Sequence, residues 1–436
     1  MAISDTLPQT ARFSWLPPGL RPPCRMTKDQ ERVFLLVGMA ALFAGYDMNV
    51  FGLALPQIQE SLHIAENRIG ITVSIFRLAA ILALPLVWTA DIVGRRKLLL
   101  VTIFGQAVAT LATGFAQNYE QFLLFQFATR IFGYAEEMLC FVMIAEEVEA
   151  RARGWASGTL ATMDYAGAGI AALIFAGIAY IPYGWRSLYI IGSLPIFLVA
   201  FLRRFLPETR AFETRQRAAS FTSQREAALD MIRKLFSEHP RRLTMLLIGV
   251  GAFGFSMWPA VGMGPKYLQT TLHFSPLETT LLTVIGGVVA AVFNILAGRV
   301  SDKIGRRKVA FCAALISVVC YGIFYSGTGW HYAALLWAPG FFGFLCADAL
   351  FAGLSAELFP TAYRATVSGL RYFVGILSGA VSMALEGVLY DYFGGHGPAI
   401  LAVMVLLPVA LIALVNLPEP AGRSLEDIAA MPDRKG

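Results

Sequence analysis

The chain has 436 residues, 57% of them hydrophobic and only 15% charged, with a formal net charge of +6. Ordinary soluble domains carry about 25% charged residues, so this composition excludes a soluble enzyme and describes an integral membrane protein. The positive balance requires no nucleic acid, because basic loops beside an anionic inner leaflet account for it.

Since one crossing takes ~20 mostly apolar residues, the sequence predicts twelve spans, at about 33–56, 68–90, 98–116, 121–145, 155–181, 185–205, 243–265, 277–300, 309–328, 332–357, 366–389 and 397–416. Backbone groups in lipid must be satisfied within the segment, so spans of this length are helices. Residues 1–31 contain no apolar run after a basic start and are expected to be a cytoplasmic tail, not a signal peptide. Six spans then fill 32–206, a polar and charged stretch at 207–241 reads as a cytoplasmic linker, six more fill 242–417, and 418–436 reads as a second cytoplasmic tail. Basic residues collect in cytoplasmic loops. Threading the spans from an inside N-terminus leaves only Arg68, Arg77, Arg130, Arg186, Lys266 and Arg371 of the 35 Lys and Arg elsewhere. The expected location is therefore the inner or plasma membrane, with both termini cytoplasmic. Cys140, Cys312, Cys320 and Cys346 fall inside spans and Cys24 in the first tail, which is neither a disulfide framework nor a metal spacing.

The two halves repeat each other. Asp91-Ile92-Val93-Gly94-Arg95-Arg96-Lys97 returns, displaced by 211 residues (91 to 302), as Asp302-Lys303-Ile304-Gly305-Arg306-Arg307-Lys308. Glu146 and Arg153 return as Glu357 and Arg364, and Leu206-Pro207-Glu208 as Leu417-Pro418-Glu419, with the same offset. Duplicated halves in so apolar a chain point to a transporter that rocks one half against the other. In each loop copy the Gly permits a tight turn, and the Arg pair and Asp are expected to bridge carboxylates or helix ends across the seam between the halves.

These motifs resemble those of the major facilitator superfamily, over essentially the whole chain. The resemblance rests on Gly298-x-x-x-Asp302-x-x-Gly305-Arg306-Arg307, on Asp91-x-x-Gly94-Arg95-Arg96, and on the Glu-to-Arg pairs 146/153 and 357/364. The endings Pro207-Glu208-Thr209-Arg210 and Pro418-Glu419-x-x-Gly422-Arg423 look like those of sugar porters and related metabolite carriers. It implies an all-α fold of twelve transmembrane helices in two pseudo-symmetric six-helix bundles. It also implies that Asp91, Gly94, Arg95, Arg96, Glu146, Arg153, Asp302, Gly305, Arg306, Arg307, Glu357 and Arg364 form a conformational latch. Val87 and Ile92 depart from the first loop's usual Gly and basic residue, and Gly249–Trp258 lacks the glutamine-rich pattern of true sugar porters, which demotes sugar as substrate.

Charged interior positions fall on spans one, two, four, five, ten and eleven, so every third helix is expected to face lipid. A charge at mid-bilayer costs ~2.5–3.5 kcal/mol by insertion scales. Asp47, Arg77, Arg130, Glu137, Asp164 and Asp348 are therefore expected to face a central cavity or one another. At about 1.5 Å per residue, the first three lie roughly 20 Å above the cytoplasmic helix ends and the last three roughly 12–14 Å. Ala44-Gly45-Tyr46-Asp47 resembles the first-span motif of proton-coupled aromatic-acid and metabolite symporters, which makes Asp47 the first candidate for proton coupling. A movement separating it from Arg77 or Arg130 would load it with a proton; a permanent structural ion pair is the other reading. Arg130 and Glu137, seven apart, share one helix face with Gly133 between them; the family's arginine in this helix corresponds to Gln126, one turn earlier. Glu137 corresponds to Asp348 in the repeat, and the two are further proton or substrate candidates. Phe341, Phe344 and Phe351 form one face that could line an apolar pocket or simply pack, and Trp258, the repeat partner of Asp47, is a gate, a cavity aromatic or a packing residue. Glu386 and Lys266 near helix ends are expected to snorkel.

Nucleotide, HExxH, CxxC and GxSxG signatures are missing, and the five His are scattered. The expected function is a proton-coupled symporter working by alternating access, without cofactor or metal and as a monomer. Its substrate is a small metabolite, with an organic anion favoured by Arg77 and Arg130. The alternatives are a proton-coupled exporter of cationic or amphipathic compounds, a uniporter, and a non-transporting sensor.

Overall fold

Apolar runs of ~20 residues yield twelve long helices among the described residues, labelled here in chain order. They are α1 (Lys28–Leu53), α2 (Glu66–Trp88), α3 (Arg95–Gly114), α4 (Tyr119–Glu147), α5 (Arg153–Ala176), α6 (Trp185–Arg203), α7 (Pro240–Gly262), α8 (Pro276–Ile304), α9 (Arg306–Tyr325), α10 (Ala333–Glu357), α11 (Arg364–Phe393) and α12 (His396–Asn416). The structure is a computed structural model and describes residues 22, 26–148, 152–204, 231–327, 332–360 and 363–420. Most of the expected tails and linker, at 1–21, 23–25, 205–230 and 421–436, lies outside the described residues, as do the side chains of Asp91 and Arg153. Eleven of the helices are long and apolar enough to cross a membrane; α4, whose apolar run is interrupted by Arg130, Glu136 and Glu137, is the twelfth.

Local chemistry sets the ends. Thr27 with Gln30 and Ser275 with Glu278 form reciprocal capping boxes at the starts of α1 and α8, and Asn118 caps α4. Gly94 and Gly305 take φ of 106° and 121° at the starts of α3 and α9, a backbone region open in practice to glycine. Two short helices follow α1 and α7, at Leu55–Leu62 and Gly264–Thr270. Inside α12, Pro408 lacks an N–H donor, and the helix is interrupted by a 3-10 turn at Met404–Leu406 before resuming at Leu407.

Packing repeats between the halves. In the first, α1 packs on α4, α5 and α6, α2 on α4, and α3 on α4 and α6; in the second, every one of these pairings recurs with its number raised by six. The halves meet through α2 against α11 and α5 against α8, two contacts that exchange under the same operation. At the α2–α11 crossing the backbones touch: a Cβ on Gly70 would collide with the Met383 carbonyl, and one on Gly387 with the Asn67 carbonyl. The expected outward position of every third helix is met by exposed apolar stripes such as Val101, Phe104 and Val108 on α3 and Val405, Val409 and Ile412 on α12. Opposite those stripes α3 is polar and buried through Thr102, Gln106, Thr110 and Thr113, so it faces lipid on one side only.

One apolar cluster runs from the loop-motif-distal part of the first half through the second half, whereas another stays within the first half. The halves are thus sealed together at the end remote from the loop motifs. There Gln57 and Gln269 of the two short helices bond at 2.8 Å, Gln269 reaches the Leu53 carbonyl, Asn67 bonds Asp391, and Thr280 bonds the Ala172 carbonyl.

Candidate functional site

Deep groups that are nonetheless accessible outline a central cavity. Glu137 on α4, Tyr165 on α5, and Asp348 and Tyr372 on α10 and α11 are all exposed although they lie well inside the molecule, with half-buried Asp164 beside them. Part of this space is a pocket of about 120 Å³ between α1, α4 and α5, lined by Met48, Gly133, Glu137, Phe141, Asp164 and Tyr165 among others. Glu137 and Asp164 lie within electrostatic reach of each other, and neither has a hydrogen-bond or ion-pair partner among the described residues. From the second half, Asp348 is 52% exposed and approaches Arg371 Nη1 at 3.5 Å.

At the seam, Arg77 from α2 places its guanidinium 3.8 Å from the Trp258 ring centroid on α7, a cation–π contact between halves. Such a contact is worth about 0.5–2 kcal/mol. Gly379 on α11 makes room, since a Cβ there would meet both Trp258 and Arg77 Nη1. No hydrogen-bond acceptor or acidic partner meets Arg77 among the described residues, and its Nε is buried without a partner. Phe344, expected as a binding residue, is 5% exposed and packs between Phe253, Phe341 and the edge of Trp258. It braces Trp258 and does not line the opening; Phe351 is likewise core.

Asp47 and Arg130 lie away from the cavity and within reach of each other. Asp47 is 1% exposed and turns from the cavity toward α3, where Gln106 and Thr110 donate to it at 3.3 and 3.1 Å. Neutral donors on a helix expected to be purely peripheral satisfy that carboxylate. Arg130, 7% exposed, donates to Met48 Sδ and lies over Phe76 at 5.7 Å, within electrostatic reach of Asp47. Both lie in the first half's interior, and Arg77 belongs to the seam instead.

Bridges across the seam were expected of the loop residues; the bonds among the described residues lie within each half. Arg95 pairs with Glu146 at 3.2 Å, and Arg96 donates to the Arg204 carbonyl. Arg306 meets both Glu357 and Asp302 at 2.9 Å; Arg307 donates to the Val415 and Leu417 carbonyls, and Glu419 accepts from the backbone N–H of Arg306 and Arg307. Arg364 donates to the Phe359 carbonyl at 3.4 Å. The reason is proximity: Gly94 and Gly305 start α3 and α9 beside the ends of α4 and α10, so Arg95 and Arg306 meet Glu146 and Glu357 of their own bundles.

Two charged clusters escaped sequence reasoning. Glu136 is ion-paired with Arg203, both essentially inaccessible, and accepts from Thr102 at 2.6 Å and from Cys140. Arg203 ends α6 and reads as a loop residue, so nothing local signals its inward turn. At the sealed end, Lys266 and Glu386, expected to snorkel, are 1% and 0% exposed. Lys266 pairs with Glu66 and donates to Gln59 Oε1; His396 bridges Glu66 at 3.1 Å and Glu386 at 2.6 Å. Glu66 and Gln59 belong to the first half and the other three to the second, so this cluster pins the halves together.

A family model described as Major Facilitator Superfamily matches residues 37–265 and 245–432. The chain belongs to the Major Facilitator Superfamily. It is a membrane transporter and not an enzyme. Among similar proteins, the cis,cis-muconate transport protein of Acinetobacter baylyi is 27% identical over 82% of this chain and 86% of its own length. A probable 4-methylmuconolactone transporter of Cupriavidus pinatubonensis is 24% identical over 95% of each chain. The crystal structure of a D-xylose-proton symporter superposes with a TM-score of 0.72 at 17% identity, covering 91% of this transporter and all of that chain.

Proposed function

We propose that this transporter imports a small organic anion together with protons by alternating access, across the inner or plasma membrane, with the loop motifs and both termini in the cytoplasm. The observation that carries the reading is Arg77. A guanidinium at the seam, stacked on Trp258 and lacking an acidic partner among the described residues, is a charge that needs an anion, because burying it alone is costly. The stack on an indole favours planar or unsaturated carboxylates. Relatives named for cis,cis-muconate and 4-methylmuconolactone transport support the same class.

Protons ride on the acids facing the cavity. Glu137 and Asp164 confront each other without a cation between them, and one proton relieves that repulsion. Asp348 is the corresponding acid of the second half. Asp47, enclosed with Gln106, Thr110 and Arg130, holds α1 against α3 and α4 in this conformation. With the far end sealed, this is the inward-facing arrangement.

Uptake of labelled organic anions into proteoliposomes under an imposed pH gradient tests the proposal. Wild type should accumulate substrate only with the gradient, and Glu137→Gln should abolish accumulation while leaving equilibrium exchange. Accumulation independent of the gradient would dismiss proton coupling, and loss with Asp47→Asn but not Glu137→Gln would return the coupling role to Asp47. The acid-lined pocket also suits an amine, so gradient-driven efflux of a cationic dye, with no anion uptake, would establish the exporter instead.

A further inference from the structure

A second guanidinium faces the same cavity. Arg371 on α11 reaches Asp348 through Nη1 at 3.5 Å, longer than the ~2.7–2.9 Å of a tight charge-assisted bond. Its Nε is buried with no partner. An arginine fork offers five N–H donors, and this one spends them on a single loose contact with a carboxylate that is 52% exposed.

The neighbouring Tyr372 lies within electrostatic reach of both Arg371 and Arg77. Arg77 Nη1 rests 2.9 Å from where a Cβ of Gly379 would stand, and Gly379 follows Arg371 by eight positions on α11 (371 to 379), roughly 12 Å along the axis.

We infer that Arg371 is a second anion-binding guanidinium, capped by Asp348 until a substrate carboxylate takes its place, and that the transporter prefers a dicarboxylate held by Arg77 of one half and Arg371 of the other. This rests on the organic-anion reading and adds the number of the acidic groups. One molecule bonded to both halves ties their approach to its presence, while a monocarboxylate engages one half only. Releasing Asp348 also frees an acid of the second half at the moment of binding.

The test compares two six-carbon dienes, cis,cis-muconate with two carboxylates and sorbate with one, in equilibrium binding to the purified full-length protein in lipid. Wild type should favour muconate by about tenfold or more, the effect of one charged hydrogen bond. Arg371→Gln should bring the ratio of the two affinities close to one, and Asp348→Asn, which removes the internal competitor, should raise it severalfold. Arg371→Gln/Asp348→Asn keeps the local charge balanced and must show the same lost preference, which separates recognition from misfolding. A ratio near one in wild type, or a ratio unmoved by Arg371→Gln, overturns the inference while leaving the organic-anion reading intact. Binding of neither compound, nor of any other carboxylate, overturns both.

Discussion

Substituting Glu66→Gln removes one partner of the charged cluster that joins the halves at the end remote from the loop motifs. Glu66 meets Lys266 and His396 there, and Glu386 lies behind His396. When the halves part at this end, Glu66 leaves on α2 while Lys266, His396 and Glu386 stay together on the second half, so the substitution deletes contacts made in the sealed arrangement alone. Breaking a fully buried pair costs about 3–5 kcal/mol. Glu66 is 36% exposed, and solvent screening reduces the figure to about 1–2 kcal/mol. That corresponds to a factor of roughly 5–30 in the population open at this end. A cysteine placed at Thr280, which is 1% exposed and bonded across the seam to Ala172, reports the opening through its rate of thiol labelling in a background without native cysteines. The rate should rise by that factor in Glu66→Gln relative to the same reporter in wild type. An unchanged rate would show that apolar packing and the glycine contacts close this end without help from charge.

Gly70→Val should act on the same equilibrium through sterics, because its side chain would enter the Met383 carbonyl and the Gly387 backbone; the Thr280 reporter should again label faster. Arg77→Gln should weaken organic-anion binding by about 10- to 100-fold, the value of a charged hydrogen bond of about 1.5–3 kcal/mol. Arg77→Lys, which keeps the charge but loses the planar stack on Trp258, should fall between, and equilibrium binding measures both. Arg203→Met leaves Glu136 buried without its cation and should cost about 3–5 kcal/mol, whereas Arg203→Met/Glu136→Met should recover most of it. Thermal unfolding in detergent reads the pair, and a double variant no more stable than the single one would contradict the assignment.

The charges that the sequence singled out inside the membrane were found at three different places. Glu137, Asp164 and Asp348 reach the cavity, Arg77 reaches the seam, and Asp47 with Arg130 stays inside the first half. Counting charges identified the helices that enclose polar space, because lipid forbids an ionised group on its own surface. It did not reveal which side of a helix each group takes. Asp47 turned toward α3 because Gln106 and Thr110, uncharged and therefore silent in that count, offer hydrogen bonds. Arg203, which reads as a loop residue, and Lys266, expected to snorkel, each find a partner distant in sequence: Arg203 is 67 residues from Glu136, and Lys266 is 200 from Glu66.

Span length, the internal repeat and the two glycine turns follow from the chain alone, since crossing a bilayer and turning at φ above 100° are demands met within a few neighbouring residues. Which acid meets which guanidinium belongs to the folded molecule. Spans this apolar carry little periodic pattern to orient a face, and the side chains paired between α2 and the short helix after α7, or between α4 and α6, are strangers in sequence. Arg371 acquires its meaning only when α10 and α11 set it beside Asp348, in the same cavity as the arginine of the other half.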